Sequence, residues 1–317
     1  MRLKLRSPSE QLCSFGEQPN RQEIMEKRVF FKGWLLPLLL IAPQILVSAV
    51  FFFYPAGQAV WQSLFIPDPF GLSMQYVGLG NFKYLLSDPY YRASFFTTGL
   101  FSILVTLVSM IPALFLAIVA DRLIKGAGTY RTMLIWPYAV APAIAGVLWL
   151  FMFNTRVGVV SWYLGNLGYD WNHVLNGSEA MGLVVVSSAW GRISYNFLFF
   201  FAALQSVPKS IIEAAAIDGA RFWRRFWTIV LPLLSPTTFF LLVVNVVYAF
   251  FETFGVIHTI TSGGPQQSTT ILVYKVFADG FVGQDLGSSA AQSVILLVVV
   301  GALTVFQFKY IERRVHY

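Results

Sequence analysis

Charge is scarce in this chain. Asp, Glu, Lys and Arg make up 12% of its 317 residues, about half the share of an ordinary soluble domain. The shortage is concentrated in six apolar runs, near 34–54, 94–120, 132–153, 180–205, 231–251 and 288–308. That distribution excludes a plain soluble globule and points to the bilayer. Cysteine is almost missing as well. The single Cys13 excludes a disulfide framework within the chain and a thiolate metal cluster. His173, His258 and His316 stand far apart without metal-ligand company, so no metal site is expected. No G-x-x-x-x-G-K-[ST] phosphate loop is spelled; Gly126-Ala127-Gly128 lacks the lysine and reads as a turn. The chain is therefore not expected to hydrolyse ATP.

Each apolar run is about 20 residues, the length a helix needs to cross the hydrocarbon core. Within lipid a backbone must satisfy its own hydrogen bonds, and the alternation of an outer-membrane barrel is absent, so each run is expected to be a helix. The expected fold class is an all-α integral membrane protein with six transmembrane helices. It divides into a tail 1–33, a membrane domain 34–308 and a tail 309–317. The first run follows a long polar stretch without a small-residue cleavage site, and reads as a retained helix rather than a signal peptide.

The net charge of +7 is not that of a nucleic-acid binder, because of where it sits. Of the 22 Lys and Arg residues, 17 lie in the tail through Gly33, the loop 121–131, the loop 206–230 and the tail after Phe308. The remaining loops hold Lys83, Arg92, Arg156 and Lys275, and Arg192 is inside a run. Positive charge marks the cytoplasmic side, so both ends and the loop 206–230 are expected inside the cell. Prolines mark the runs: Pro55 is expected to close the first helix, and Pro137 with Pro142 to bend the third. The outer segment 56–93, rich in Trp61, Phe65, Phe70, Tyr76 and Phe82, suits the membrane–water interface.

Ionisable groups inside a membrane helix are costly and face a cavity or a partner. Arg192 shares a helix face with Tyr195 and Asn196, and Glu252 ends the fifth run with Asn245 and Tyr248 on its face and Thr253 beside it. Ser289, Gln292 and Ser293 form a similar patch in the last run. These residues are candidates for a polar path, with Arg192 suited to phosphate. A purely structural ion pair between Arg192 and Glu252 accounts for the same pattern.

The most specific signal is in the loop 206–230. It reads Glu213-Ala214-Ala215, then Asp218-Gly219, then Ile229-Val230-Leu231-Pro232. Pro208 suits a helix start, the alanine-rich stretch suits a short helix, and Gly219 suits its end. A second short helix is expected over 221–229 with Phe222, Trp223, Phe226 and Trp227 on its surface. This spacing resembles the EAA loop of ABC-importer permeases. Trp136-Pro137-Tyr138, Tyr195-Asn196-Phe197 and Tyr169-Asp170-Trp171-Asn172-His173 extend the resemblance to the maltose-type carbohydrate family, above all to the first permeases of glycerol-3-phosphate importers.

The resemblance implies a type I importer fold in the bacterial inner membrane. It implies a second permease as heterodimer partner, two ABC ATPase subunits that bind ATP and Mg, and a periplasmic substrate-binding protein. This chain itself would bind lipid but no cofactor and no nucleic acid. Glu213, Ala214, Ala215, Asp218, Gly219, Ile229, Leu231 and Pro232 would couple it to the ATPase. Arg192, Tyr195, Asn196, Asn245, Tyr248, Glu252, Thr253 and Gln292 would line the substrate path. The expected cargo is a phosphorylated polyol or diester. A neutral sugar, or an ATPase-independent channel or scaffold role, remains open at this point.

Overall fold

The computed structural model describes residues 34–68, 73–122 and 127–311. The tail 1–33 with Cys13, and Phe70, Lys125, Gly126, Arg313, Arg314 and His316, lie outside the described residues. Of the described residues, those up to Ala56 and those from Gly57 onward form two compact units. The first contains α1 (Leu35–Ser48), a π-helical turn Ala49–Phe53 and the start of α2 (Tyr54–Gln62). Pro55 does not close this helix, contrary to expectation. Its lost N–H is absorbed by the wider turn just before it, where the Tyr54 N–H reaches back to the Ala49 carbonyl.

In the second unit a small antiparallel hairpin, β1 (Phe65–Pro67) with β2 (Met74–Tyr76), interrupts the helical pattern and pairs Ile66 with Gln75. The buried Asn81 of α3 (Gly80–Ser87) pins this hairpin by donating to the Ser63 and Phe65 carbonyls. Next come α4 (Pro89–Arg122) and α5 (Ala127–Ile135). A 3-10 turn Trp136–Ala139 leads to α6 (Pro142–Met152). Then follow α7 (Val159–Asn166), α8 (Gly177–Ser206), α9 (Lys209–Ile217) and α10 (Phe222–Arg225). After a π turn Phe226–Val230 come α11 (Leu231–Leu233), α12 (Ser235–Phe251), α13 (Phe254–Ile260), α14 (Leu272–Phe277) and α15 (Leu286–Phe306).

Four helices are long and apolar enough to cross a membrane unaided, and the number rises to six when two bent pairs are each counted as one span. The third expected helix is therefore broken rather than merely bent. Its halves meet at 101°, because Ala141 is held extended by the proline that follows it. The fifth is bent by 66°, where Pro232 and Pro236 each withhold an N–H on either side of Leu234.

α4 and α8 pack along each other and organise the core. Towards one end Phe101 and Val105 meet Leu183, Val184, Ile257 and Ile271. Towards the other, the small Ala113, Ala117 and Ala120 let α8 approach closely, and Phe197, Phe200 and Phe201 fill the space. Small residues at helix contacts are the usual means of close packing in lipid, where no hydrophobic drive separates helices from solvent. Large apolar side chains such as Phe96 and Phe115 point outward, as a bilayer solvent requires.

Candidate functional site

Between these two packed zones α4, α8 and α12 meet at a polar hub. Asn245 is fully buried. Its Oδ1 accepts from Ser109 Oγ (3.3 Å), Asn196 Nδ2 (3.3 Å) and Arg192 Nε (3.4 Å). Its Nδ2 donates to Asn196 Oδ1 (2.8 Å) and the Leu241 carbonyl (2.7 Å). The hub satisfies the polar groups that lipid cannot. It also anchors one side of the Arg192 guanidinium, whose faces are covered by the rings of Tyr195 (4.4 Å) and Tyr248 (4.3 Å). Tyr248 is fixed in turn by donating its hydroxyl to the Ser188 carbonyl at 3.2 Å.

Arg192 lines a cavity of about 390 Å³ together with Ser187, Ser188, Tyr138, Tyr248 and Glu252. Its far wall is the break in the third span, from Pro137 to Pro142. Non-helical backbone at membrane depth is tolerated only where it is covered by protein or borders a watery cavity, so the break and the cavity account for each other. Arg192 and Glu252 share this space, yet among the described residues no ion pair joins them. Two tyrosine rings, the Asn245 amide and the Val244 carbonyl (3.5 Å from Nη2) hold the arginine, and none of these partners neutralises its charge.

The structure thus gathers Arg192, Tyr195, Asn196, Asn245, Tyr248 and Glu252 in one place. It does not bring Thr253 or Gln292 there. Thr253, the N-cap of α13, is fully buried and its hydroxyl donates back to the Ala249 carbonyl of α12 at 3.0 Å. Gln292 donates to Asp279 and Ser288, and Ser289 to the Val276 carbonyl, so this patch ties α15 to α14 and the turn after it. Asp279 also meets Lys275 at 3.0 Å. Sequence reasoning missed Ser109, Ser187 and Ser188. The adjacent serines, one turn before Arg192, were the available signal for the last two.

A second polar cluster closes the segment before α8. The buried Glu179 accepts from Tyr169 Oη (3.0 Å), from Asn176 Nδ2 (2.9 Å) and from the Asn172 N–H. Its bond raises the Tyr169 hydroxyl above its ordinary pKa. His173, in the same cluster, is only 5% exposed. Burial holds its imidazole below the usual 6.5, against the pull of the Glu179 carboxylate. The unfolded chain therefore takes up this proton first as pH falls. The stability gained by burying neutral His173 is full above about pH 6.5 and is lost as pH drops through the lower folded value. Wild-type protein is expected to lose more thermal stability than His173→Leu between about pH 7.5 and about pH 5. Parallel melting-temperature profiles for the two would contradict this.

The loop between α8 and α12 has its own architecture. Pro208 is the N-cap of α9 rather than its first helical residue, with extended backbone. At the other end Gly219 adopts φ +78°. Its N–H bonds the Ala216 carbonyl (3.1 Å) and the Ala220 N–H bonds the Ala215 carbonyl (3.0 Å). This is a Schellman cap, which needs a residue at ease in the left-handed region. Arg225 Nη1 then donates to the Ile212 carbonyl at 3.3 Å and ties the following arm to α9. Phe226 is buried, not on the surface as expected, whereas Trp223 and Trp227 are 66% and 61% exposed. Glu213, Ala214 and Asp218 are exposed, and Ala215 is half-buried. Ile229 falls in the π turn, and Leu231 and Pro232 open the bent span. The result is a braced two-helix projection with an exposed carboxylate and exposed apolar tips, Ile217 being 86% exposed.

A multi-span helical bundle with a broken helix, a polar cavity and such a projection defines a membrane permease of the ABC-importer class. The family model described as "Binding-protein-dependent transport system inner membrane component" matches residues 85–317, and the chain belongs to that family. It is 60% identical over 291 residues to the sn-glycerol-3-phosphate transport system permease protein UgpA of Rhizobium meliloti, covering 92% of this chain and 99% of that protein. To the protein of the same name from Agrobacterium fabrum it is 61% identical over 289 residues, 91% and 99% of the two chains. Among solved structures, a bacterial ABC transporter that imports the acidic polysaccharide alginate superposes with a TM-score of 0.76 at 20% identity, over 90% of this chain and 96% of that one. The chain is thus a transport component, not an ATPase.

Proposed function

We propose that this chain forms half of the pore of an ATP-driven importer that moves sn-glycerol 3-phosphate, or a related phosphorylated polyol, inward by alternating access. The relatives at 60% and 61% identity carry that substrate in their names. The observation that carries the reading is Arg192. It is the cation on the cavity wall, held by Tyr195, Tyr248 and Asn245 rather than neutralised by Glu252. A planar guanidinium offers paired donors to phosphate oxygens, and Glu252 in the same cavity can accept from polyol hydroxyls.

The remaining pore half is a second permease. Two ATPase subunits, which bind ATP and Mg, engage the projection around Glu213 and Gly219, and a periplasmic protein delivers the solute. A solved relative in fold, the alginate ABC transporter, is described in complex with a pentasaccharide-bound periplasmic protein. The clustering of Lys and Arg in the loop 206–230 supports a cytoplasmic position for that loop and for both termini. Closure of the ATPase dimer on ATP pushes on the braced projection, which turns the bent fifth span against the hub. Uptake competition tests the substrate assignment. Labelled sn-glycerol 3-phosphate should be displaced by other phosphorylated polyols and not by free sugars. Displacement by free sugars alone would favour a neutral-sugar permease.

A further inference from the structure

Serine and threonine hydroxyls in the helices of this protein are generally satisfied by a carbonyl one turn back, as in Ser94, Thr98, Ser293 and Thr304. Ser187 and Ser188 depart from that habit. They are 2% and 1% exposed, and neither hydroxyl has a hydrogen-bond partner. Both border the Arg192 cavity. A buried hydroxyl without a partner is costly, and its retention at a cavity wall calls for an explanation.

Their placement supplies one. They precede Arg192 on α8 by five and four residues, a rise of about 6–7.5 Å along the axis. Ser188 and Arg192 share a helix face, and the arginine side chain leans back towards the serines. Tyr248 fixes the relation, since its ring covers the guanidinium and its hydroxyl bonds the Ser188 carbonyl. Gly191, four residues after Ser187, adds no side chain to the space between them. A short molecule with an anion at one end and hydroxyls at the other can meet the arginine and the serines along this one stretch of the cavity wall.

Building on the proposed function, we infer that Ser187 and Ser188 bind the hydroxyl groups of the polyol while Arg192 holds its phosphate. The two serines are then specificity-determining residues. They distinguish a phosphorylated polyol from inorganic phosphate, which the arginine alone would accept.

The test uses the purified, fully assembled importer without its binding protein. Equilibrium dialysis measures labelled sn-glycerol 3-phosphate and inorganic phosphate as separate ligands. The variants are Ser187→Ala/Ser188→Ala and Arg192→Met. The double serine variant should bind sn-glycerol 3-phosphate about tenfold more weakly, the effect of two lost hydrogen bonds, and phosphate within about twofold of wild type. Its ligand-free melting temperature should equal or exceed that of wild type, because two unpaired hydroxyls are removed and alanine favours the helix. A lower melting temperature with unchanged binding of both ligands would make the serines merely structural and overturn the inference. Equal weakening of both ligands would overturn the hydroxyl assignment. If Arg192→Met weakens both ligands but the serine variant binds like wild type, the inference fails while the phosphate reading stands. If Arg192→Met changes neither, the phosphate reading itself fails.

Discussion

Uptake by an Arg192→Met variant is expected to fall by at least about two orders of magnitude while the complex still assembles. The magnitude comes from two charge-assisted hydrogen bonds to phosphate, each worth about 1.5–3 kcal/mol. The structure explains why assembly should survive. Methionine is unbranched and suited to the slot between Tyr195 and Tyr248 that the guanidinium now fills. Asn245 loses one donor at 3.4 Å but keeps Ser109 and Asn196. Were Arg192 a structural partner of Glu252, its removal would strand a buried charge and unfold the bundle. Glu252 is exposed and unpaired with Arg192, so that outcome is not expected. Uptake assays paired with copurification of the partner subunits separate the two accounts.

The second large effect is expected at the projection. Gly219→Val should reduce transport more than tenfold with normal insertion into the membrane. A Cβ at this position meets no atom within 4 Å, so the substitution causes no clash. The penalty is conformational: a left-handed backbone costs an L-residue about 1–2 kcal/mol, and a branched side chain more. The chain escapes that cost by unwinding the cap formed by the Gly219 and Ala220 N–H groups. The arm from Arg221 then no longer leaves α9 in a fixed direction. Because Gly219 is exposed, overall stability should change little. Gly219→Asn, which tolerates the left-handed region better, should retain more transport than the valine variant.

Much of this was legible in the sequence, for physical reasons that can be named. Apolar runs of bilayer length are dictated by the solvent, so the spans around α4, α8 and α15 follow from composition. The spacing around Glu213 and Gly219 marks the projection because helix, left-handed turn and second helix each demand particular residues. Less legible was what neighbours decide. Pro55 looks like a terminator, yet a π turn before it lets the helix continue. Pro137 and Pro142 announce a bend, but a right-angled break depends on a cavity that accepts the freed backbone. Gln292 and Arg192 look alike in sequence as polar residues in apolar runs. Only packing sends one to Asp279 and the other to a cavity. Ser187 and Ser188 are small and common in membrane helices, and their lack of partners shows only in three dimensions.

In the proposed function the projection is a cytoplasmic lever driven by a separate nucleotide-hydrolysing subunit. The direct measurement places one cysteine at Glu213 in a Cys13→Ser background, within the assembled importer, and follows its labelling and cross-linking. The cysteine should react with a membrane-impermeant maleimide only when the inner face of the membrane is accessible. It should cross-link to the ATPase subunit in an ATP-dependent manner, and Gly219→Val should weaken that cross-link. Labelling from the outside of intact cells, or no cross-link to any ATPase in a transport-competent complex, would contradict it.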